Sequence, residues 1–301
     1  MDRDNLILGL WPIAGITTIG VTRQAARQTL QRAIECGIRH YDTAYSYGYD
    51  GESDRLLGEV LGEHPQRLQV HGKVGQRWDA DRQRVIDARP ATLLADAKES
   101  AARIGIESFD LLMLHSPDPQ LPIERSAAAM QQMKEMNLCR RIGVCNVSVA
   151  QLEEFCAAAD CSAIQCPLNL LQRDSLAELI PACVEKNIEV QVYWVLMKGL
   201  LAGKIARQHR FAPGDSRPRY DIFQGTKREH AHQVIDRMKE LGKLHQRSVA
   251  QLSIGWAISQ PGVTAAVIGA RRPEQIAETA GAEPLTREEI DALDAAVAEA
   301  E

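Results

Sequence analysis

The chain has 301 residues, 45% of them hydrophobic and 25% charged, which is typical of a globular protein with a sizeable buried core. Its formal net charge is −5 and no basic run stands out, so we expect neither a nucleic-acid partner nor a membrane-surface partner. The longest apolar runs are much shorter than a membrane span, and the N-terminus is acidic where a secretory signal would be basic. These features predict a soluble cytoplasmic protein.

The cysteines and histidines do not form the patterns of a metal site. The seven cysteines are odd in number and include no CxxC pair, which favours buried free thiols. His230 and His232 form an HxH pattern, but no partner ligands follow other predicted strands. We therefore predict no metal.

Short β-type runs alternate with amphipathic helical stretches along the whole chain, as in a parallel sheet with crossover helices. The predicted strands span 6–13, 37–44, 68–74, 109–115, 141–147, 162–168, 189–196 and 264–270. The predicted helices span 22–36, 53–62, 91–104, 123–137, 149–159, 175–187 and 248–259, with one more beginning near Pro273. Eight such units in a row, without a GxGxxG motif, predict a (β/α)8 TIM barrel of the α/β class.

Two segments depart from the repeat. Residues 204–247 begin as a polar loop containing Pro and Gly and end as a helix, which predicts a long insertion after the seventh strand. Such an insertion usually shapes a binding site. Residues 286–300 form an extra amphipathic helix at the C-terminus. No linker or internal repeat divides the chain, so we expect one barrel domain over residues 1–301.

Four polar residues follow neighbouring predicted strands. Asp42, Lys73 and His115 lie at the ends of the second, third and fourth strands, and Tyr47 lies in the loop after the second. Because the active site of a TIM barrel is built at the C-terminal ends of its strands, we expect these side chains to converge.

The converging groups have complementary chemistry. A free tyrosine has a pKa near 10, and we expect the cation of Lys73 to lower the pKa of Tyr47. Asp42 would supply the counter-charge that a buried ammonium needs. His115 would donate to or orient a substrate oxygen. The set is suited to protonating a carbonyl oxygen while a separate reactant adds to the carbonyl carbon.

A second candidate site follows the eighth strand, where the sequence reads GARRPEQ at 269–275. The small residues Gly269 and Ala270, followed by the guanidiniums of Arg271 and Arg272 at a helix start, predict an anion site.

Several motifs in order make the sequence resemble the aldo-keto reductases. They are DTAYSYG at 42–48, GK at 72–73, LLMLHSPD at 111–118, IGVCNVS at 142–148, IQCPLN at 164–169, GLLAGK at 199–204 and IGARRPEQIAE at 268–278. The resemblance covers nearly the whole chain. It implies a (β/α)8 barrel, a nicotinamide cofactor bound without a Rossmann motif, and Asp42, Tyr47, Lys73 and His115 as the catalytic group. In that group Tyr47 would be the general acid, with hydride supplied by the nicotinamide.

The resemblance also implies cofactor contacts. Asn146 and Gln165 would hold the carboxamide, and Tyr193 would stack on the nicotinamide ring. Arg271 or Arg272 would meet a 2′-phosphate, which favours NADPH, with NADH as the alternative. The remaining implied contacts are Leu200 and Gly203 at the pyrophosphate, with Gln275 and Glu278 near the adenosine.

The chain departs from many members of the family at two places. It has Cys145 before Asn146 where they have serine, and Trp194-Val195-Leu196 where they have Ser-Pro-Leu. Trp194 is therefore a second candidate for the stacking role and, with Trp11 and Trp78, for the wall of the substrate pocket. For Trp11 and Trp78, packing in the core or rim is an equal alternative.

The combined pattern predicts an NADPH-dependent oxidoreductase that reduces a small aldehyde or ketone to an alcohol. The alternative is an NADPH-binding regulatory subunit with little turnover. The sequence leaves the physiological substrate and the oligomeric state open.

Overall fold

The computed structural model describes residues 3–16, 19–64 and 68–300, and its centre is a closed barrel of eight parallel strands. In chain order the strands are β1 (Leu6–Gly9), β2 (His40–Asp42), β3 (Gln69–Val74), β4 (Gln76–Trp78), β5 (Arg84–Ile86), β6 (Leu111–Leu114), β7 (Ile142–Cys145), β8 (Cys161–Pro167), β9 (Glu189–Tyr193) and β10 (Ala265–Gly269). All except β4 and β5 belong to the barrel, which closes where β1 pairs with both β2 and β10. The predicted TIM barrel is confirmed.

Helices surround the barrel and bury its outer face. They are α1 (Arg23–Glu35), α2 (Glu52–Leu61), α3 (Pro90–Ile104), α4 (Ile123–Glu135), α5 (Val149–Ala158), α6 (Leu179–Glu185), α7 (Gly225–His245), α8 (Val249–Ile258), α9 (Pro273–Thr279) and α10 (Arg287–Ala298). No helix among the described residues is long and apolar enough to cross a membrane.

Polar residues at the helix starts fix where several helices begin. The side chains of Thr22, Ser148 and Ser248 each accept a hydrogen bond from the backbone N–H three residues on, which satisfies a donor that the helix itself cannot. Ser53 would suit the same role by its sequence position, but α2 is capped by Gly51 and Ser53 lies inside the helix.

The structure corrects two predicted boundaries and adds one element. The first strand ends at Gly9, because Trp11–Ile13 form a 3-10 turn in which Pro12 has no N–H to give to a strand ladder. The helix predicted over 175–187 is confined to Leu179–Glu185. The stretch after the third barrel strand, unassigned from the sequence, forms the antiparallel β4–β5 hairpin.

The predicted insertion follows β9, the seventh strand of the barrel. Residues 194–224 contain short 3-10 segments, and the helical part of the insertion is α7, which packs against the C-terminal helix α10. The loop and the β4–β5 hairpin both follow C-terminal strand ends, so both belong to the rim where the polar residues converge.

The contact between α2 and α3 gives a test of how the helices pack around the barrel. A Cβ on Gly58 would lie 2.5 Å from the carbonyl oxygen of Ile104, and neither backbone can move easily. We expect Gly58→Ala to lower the free energy of unfolding by about 1–3 kcal/mol through overpacking.

Gly62, at the end of the same helix, is the matched control. Its nearest neighbour for an added Cβ lies 3.6 Å away, so Gly62→Ala should change stability by less than about 0.5 kcal/mol. Urea titrations of both variants make the comparison, and equal stability of the two would contradict the packing at Gly58.

Candidate active site

The ends of β2 and β3 bring an acid, an amine and a phenol together. Asp42 and Lys73 are only 1% and 2% exposed, and Lys73 Nζ lies 2.5 Å from Asp42 Oδ2. The same ammonium donates to the hydroxyl of Tyr47 at 3.3 Å. His115 is the residue directly after β6, and its ring contacts the Tyr47 ring edge-on with centroids 5.8 Å apart. The structure therefore brings the four residues of the predicted catalytic group to one place.

The loop that carries Tyr47 is held by α2. The backbone N–H of Tyr47 donates to Ala44 O at 2.8 Å, and the hydroxyl of Ser53 donates to Tyr47 O at 2.8 Å. Gly48 follows with φ +110°, and an added Cβ would lie 2.7 Å from the backbone nitrogen of Glu52. Glycine is thus required directly after Tyr47, because the loop turns there against the start of the helix.

Lys73 stays charged although it is buried. Burial alone would lower its pKa, but the adjacent Asp42 carboxylate and the Tyr47 hydroxyl outweigh burial and raise the pKa of Lys73 above its ordinary value. The sequence-based expectation that Asp42 supplies the counter-charge agrees with this contact. The site therefore holds a fixed cation beside the Tyr47 hydroxyl.

The net shift of Tyr47 differs from the expectation. Burial raises the pKa of Tyr47 to about 12, and the lowering effect of Lys73 is smaller than that of burial. Lys73 lowers the pKa of Tyr47 as expected, but the net pKa lies above its ordinary value, because the loss of water disfavours phenolate more than one neighbouring cation favours it. Tyr47 carries its proton at neutral pH, which is the state a proton donor needs.

His115 is held in its neutral form. Burial lowers the pKa of His115 well below its ordinary value, and repulsion from Lys73 and Arg84 lowers it further. Its Nδ1 is buried and has no hydrogen-bond partner in the described part of the chain. A neutral imidazole beside the phenol is a second hydrogen-bond donor for a substrate oxygen, and it adds no charge to the site.

Three residues implied to contact the nicotinamide lie beside this group. Gln165 donates to Asp42 Oδ2 at 2.6 Å and to Gln191 Oε1 at 3.1 Å. Asn146 donates to His115 O at 2.8 Å and accepts from the Tyr193 hydroxyl at 2.6 Å. A nicotinamide-sized ring next to Tyr193 would therefore lie close to the catalytic group.

The second predicted site lies at the end of β10. Ala270 is buried after the exposed Gly269, and the next two residues are Arg271 and Arg272. Among the described residues, no carboxylate lies within salt-bridge distance of either guanidinium. Burial lowers the pKa of Arg271, and repulsion from Arg217 and Arg272 lowers it further. Cations with no carboxylate partner are suited to a phosphate.

The other residues implied to contact the cofactor lie along the segment after β9 and on α9. Leu200 is buried, and Gly203 ends its turn with φ +71°. Gln275 accepts from the Arg271 backbone N–H at 2.9 Å. Glu278 forms an ion pair with Lys204, so its carboxylate is already engaged with the chain.

The three tryptophans have different surroundings. The Trp11 ring is 5.2 Å from the Tyr47 ring and so borders the catalytic group. Trp78, on β4, donates to Ser46 O at 2.9 Å and so packs against the loop that carries Tyr47. Trp194 packs on Tyr220 of the insertion, with ring centroids 5.3 Å apart.

Sequence reasoning missed three residues near the site. Arg84 lies on the β4–β5 hairpin, Gln191 anchors Gln165 inside the barrel, and Tyr220 covers Trp194. Only the hairpin had a signal: the β-type residues Val85 and Ile86 follow a polar stretch that contains Asp79 and Asp81.

Comparison with known proteins agrees with this geometry. The model of the aldo/keto reductase family matches residues 5–298. The chain belongs to the aldo/keto reductase family. It is 31% identical to aldo-keto reductase YhdN of Bacillus subtilis over 279 residues, covering 92% of this chain and 84% of that protein.

The names of two further relatives state an enzymatic activity. The NADH-specific methylglyoxal reductase of Escherichia coli is 30% identical over 303 residues, covering 95% of this chain and 91% of its own. The structure of the glycerol dehydrogenase AKR11B4 from Gluconobacter oxydans superposes with a TM-score of 0.91 at 31% identity, covering 98% of this chain and 91% of that chain. The family supports an oxidoreductase that acts on small carbonyl compounds with a nicotinamide cofactor.

The Asp42–Lys73 pair can be tested by stability. Asp42→Asn would leave a buried ammonium without its counter-charge, and we expect the free energy of unfolding at pH 7 to fall by about 3–5 kcal/mol. Adding Lys73→Met removes the stranded charge, so the double variant should recover part of this loss. Urea titration measures both variants. Wild-type stability in Asp42→Asn alone would contradict the pairing.

Proposed function

We propose that this protein reduces an aldehyde or ketone to an alcohol with NADPH, and that Tyr47 donates the proton to the carbonyl oxygen. The observation that carries the proposal is the contact between the protonated Tyr47 hydroxyl and the buried, charged Lys73. When a proton leaves Tyr47, the phenolate that remains lies beside a cation that water does not screen. Lys73 therefore favours the donation most at the stage when negative charge develops on Tyr47.

The other residues of the group have supporting roles in the proposal. Asp42 keeps Lys73 charged, and Gln165 keeps Asp42 in place through a hydrogen bond of 2.6 Å. His115, neutral and beside Tyr47, donates a second hydrogen bond to the substrate oxygen. Two neutral donors would hold the carbonyl oxygen in line with the phenol, and this orientation lowers the entropic cost of the reaction.

The residues at the end of β10 and on β9 fit a dinucleotide. A nicotinamide cofactor, when bound, would supply the hydride to the carbonyl carbon. Tyr193 and Asn146 would hold its ring beside Tyr47, and Arg271 or Arg272 would bind the 2′-phosphate that NADPH has and NADH lacks. Because the Escherichia coli relative is NADH-specific, the family alone does not decide between the two cofactors. The feature that favours NADPH here is the pair of arginines, for which the described residues provide no carboxylate partner.

The alternative is an NADPH-binding regulatory subunit with little turnover. The protonated phenol beside a charged lysine favours the enzyme. Titration of NADPH by fluorescence, followed by turnover with a panel of aldehydes, separates the two: tight binding without turnover of any carbonyl would favour the regulatory subunit.

We further propose that residues 1–301 form one barrel domain, which accords with the family match over 5–298. The cytoplasmic location stays a prediction from the sequence.

The proton donor is tested by Tyr47→Phe. This variant keeps the ring but loses the hydroxyl, and we expect kcat to fall by about 10²- to 10⁴-fold with unchanged NADPH affinity. Tyr45→Phe is the matched control, because the Tyr45 hydroxyl donates to Glu99 outside the catalytic group. Carbonyl reduction retained at the wild-type rate in Tyr47→Phe would exclude Tyr47 as the donor.

Cofactor preference is tested by the double variant Arg271→Ala with Arg272→Ala. Losing a charge-assisted contact to the 2′-phosphate should weaken NADPH binding by about tenfold or more, whereas NADH binding should change little. Fluorescence titrations with both cofactors measure the ratio. If the ratio of NADPH affinity to NADH affinity does not change, the 2′-phosphate binds elsewhere or the protein does not prefer NADPH.

A further inference from the structure

The β4–β5 hairpin places a guanidinium at the mouth of the active site. In the hairpin Arg84 pairs with Trp78, which follows Lys73 by five residues and the last residue of β3 by four. The guanidinium of Arg84 lies 4.8 Å from the Trp11 ring and 5.1 Å from the Trp78 ring. Because the Trp11 ring is itself 5.2 Å from the Tyr47 ring, a single aromatic side chain separates Arg84 from the proton donor.

Arg84 has no anionic partner among residues 3–16, 19–64 and 68–300. The described residues include no carboxylate within salt-bridge distance of Arg84 and no acceptor of a hydrogen bond from it. The nearby acids of the rim are already engaged, Asp42 by Lys73 and Asp215 by Arg217. The indole rings bind the face of the guanidinium, and its N–H groups stay available for a ligand.

A second cation, Lys198, lies close enough to Arg84 for the two charges to repel each other. Burial lowers the pKa of Lys198, and repulsion from Arg217 and Arg84 lowers it further, while Asp215 raises it. Arg84 also contributes to the low pKa of His115. Cations that repel one another around an opening are stabilised when an anion enters it.

We infer that Arg84 is a specificity residue that binds a carboxylate on the substrate, so that oxo acids are preferred over neutral carbonyl compounds of the same shape. This inference rests on the proposed carbonyl reduction and names its substrate class. The two tryptophans hold the guanidinium in place before binding, so less side-chain freedom is lost when the carboxylate pairs with it. The carbonyl end of the same molecule then lies towards Tyr47 and His115.

Matched acid and ester substrates test the inference. The acids are 4-carboxybenzaldehyde and succinic semialdehyde, and their methyl esters have the same aldehyde without the charge. We expect the wild type to have a higher kcat/KM for at least one acid than for its ester. In Arg84→Gln the ratio of acid to ester should fall about tenfold, and Arg84→Lys should retain part of the preference because it keeps the charge but not the planar fork.

Arg82→Gln is the control variant. It removes the same charge from the same hairpin, but the Arg82 guanidinium lies over the Tyr49 ring, whereas the cation–π contacts to Trp11 and Trp78 come from Arg84. This control should keep the wild-type ratio. A ratio that is unchanged in Arg84→Gln, or that falls equally in Arg82→Gln, overturns the inference.

A binding measurement separates this inference from the proposed reaction. Benzoate has the carboxylate without a reducible carbonyl, and its binding near Trp11 and Trp78 should change tryptophan fluorescence. We expect about tenfold weaker benzoate binding in Arg84→Gln and wild-type binding in Arg82→Gln. If the wild type reduces no aldehyde, the proposed function fails, and the benzoate titration still decides whether Arg84 binds carboxylates. Equal benzoate affinity in wild type and Arg84→Gln overturns the inference.

Discussion

The active site depends on one buried ion pair, between Lys73 and Asp42. Removing two charges from water is costly, and the cost is offset only when the partners are in contact and their other hydrogen-bonding capacity is used. Here the contact is 2.5 Å and Gln165 donates a further hydrogen bond to Asp42. The pair therefore requires β2, β3 and β8 to keep their places in the barrel, and in return it fixes a cation beside Tyr47.

The same burial acts in opposite directions on the two groups next to this pair. Burial raises the pKa of Tyr47 and lowers that of His115, because it disfavours phenolate and imidazolium alike. At neutral pH both side chains are then uncharged and both carry a proton. A site with one internal ion pair and two neutral donors is suited to giving a proton to an oxygen.

In the part of the chain that the structure describes, arginines without carboxylate partners lie at two places beyond the catalytic group. Arg271 and Arg272 follow β10, where the proposed cofactor phosphate would lie, and Arg84 lies on the β4–β5 hairpin over Trp11 and Trp78. Because the Trp11 ring contacts both Tyr47 and Arg84, the cation of the hairpin borders the catalytic group. The cofactor and the substrate are thus proposed to meet different arginines.

The sequence by itself determined the barrel, its strand order and the four residues that converge, because alternating strands and helices allow few topologies and place all C-terminal strand ends on one rim. It also indicated the arginines after β10. Only the tertiary structure decided the protonation of Tyr47, since the pKa depends on how much water the surrounding residues exclude. The tertiary structure likewise placed Arg84 at the mouth, because its position depends on a hairpin that pairs Trp78 with Arg84 and on Trp11, which comes from a distant part of the chain.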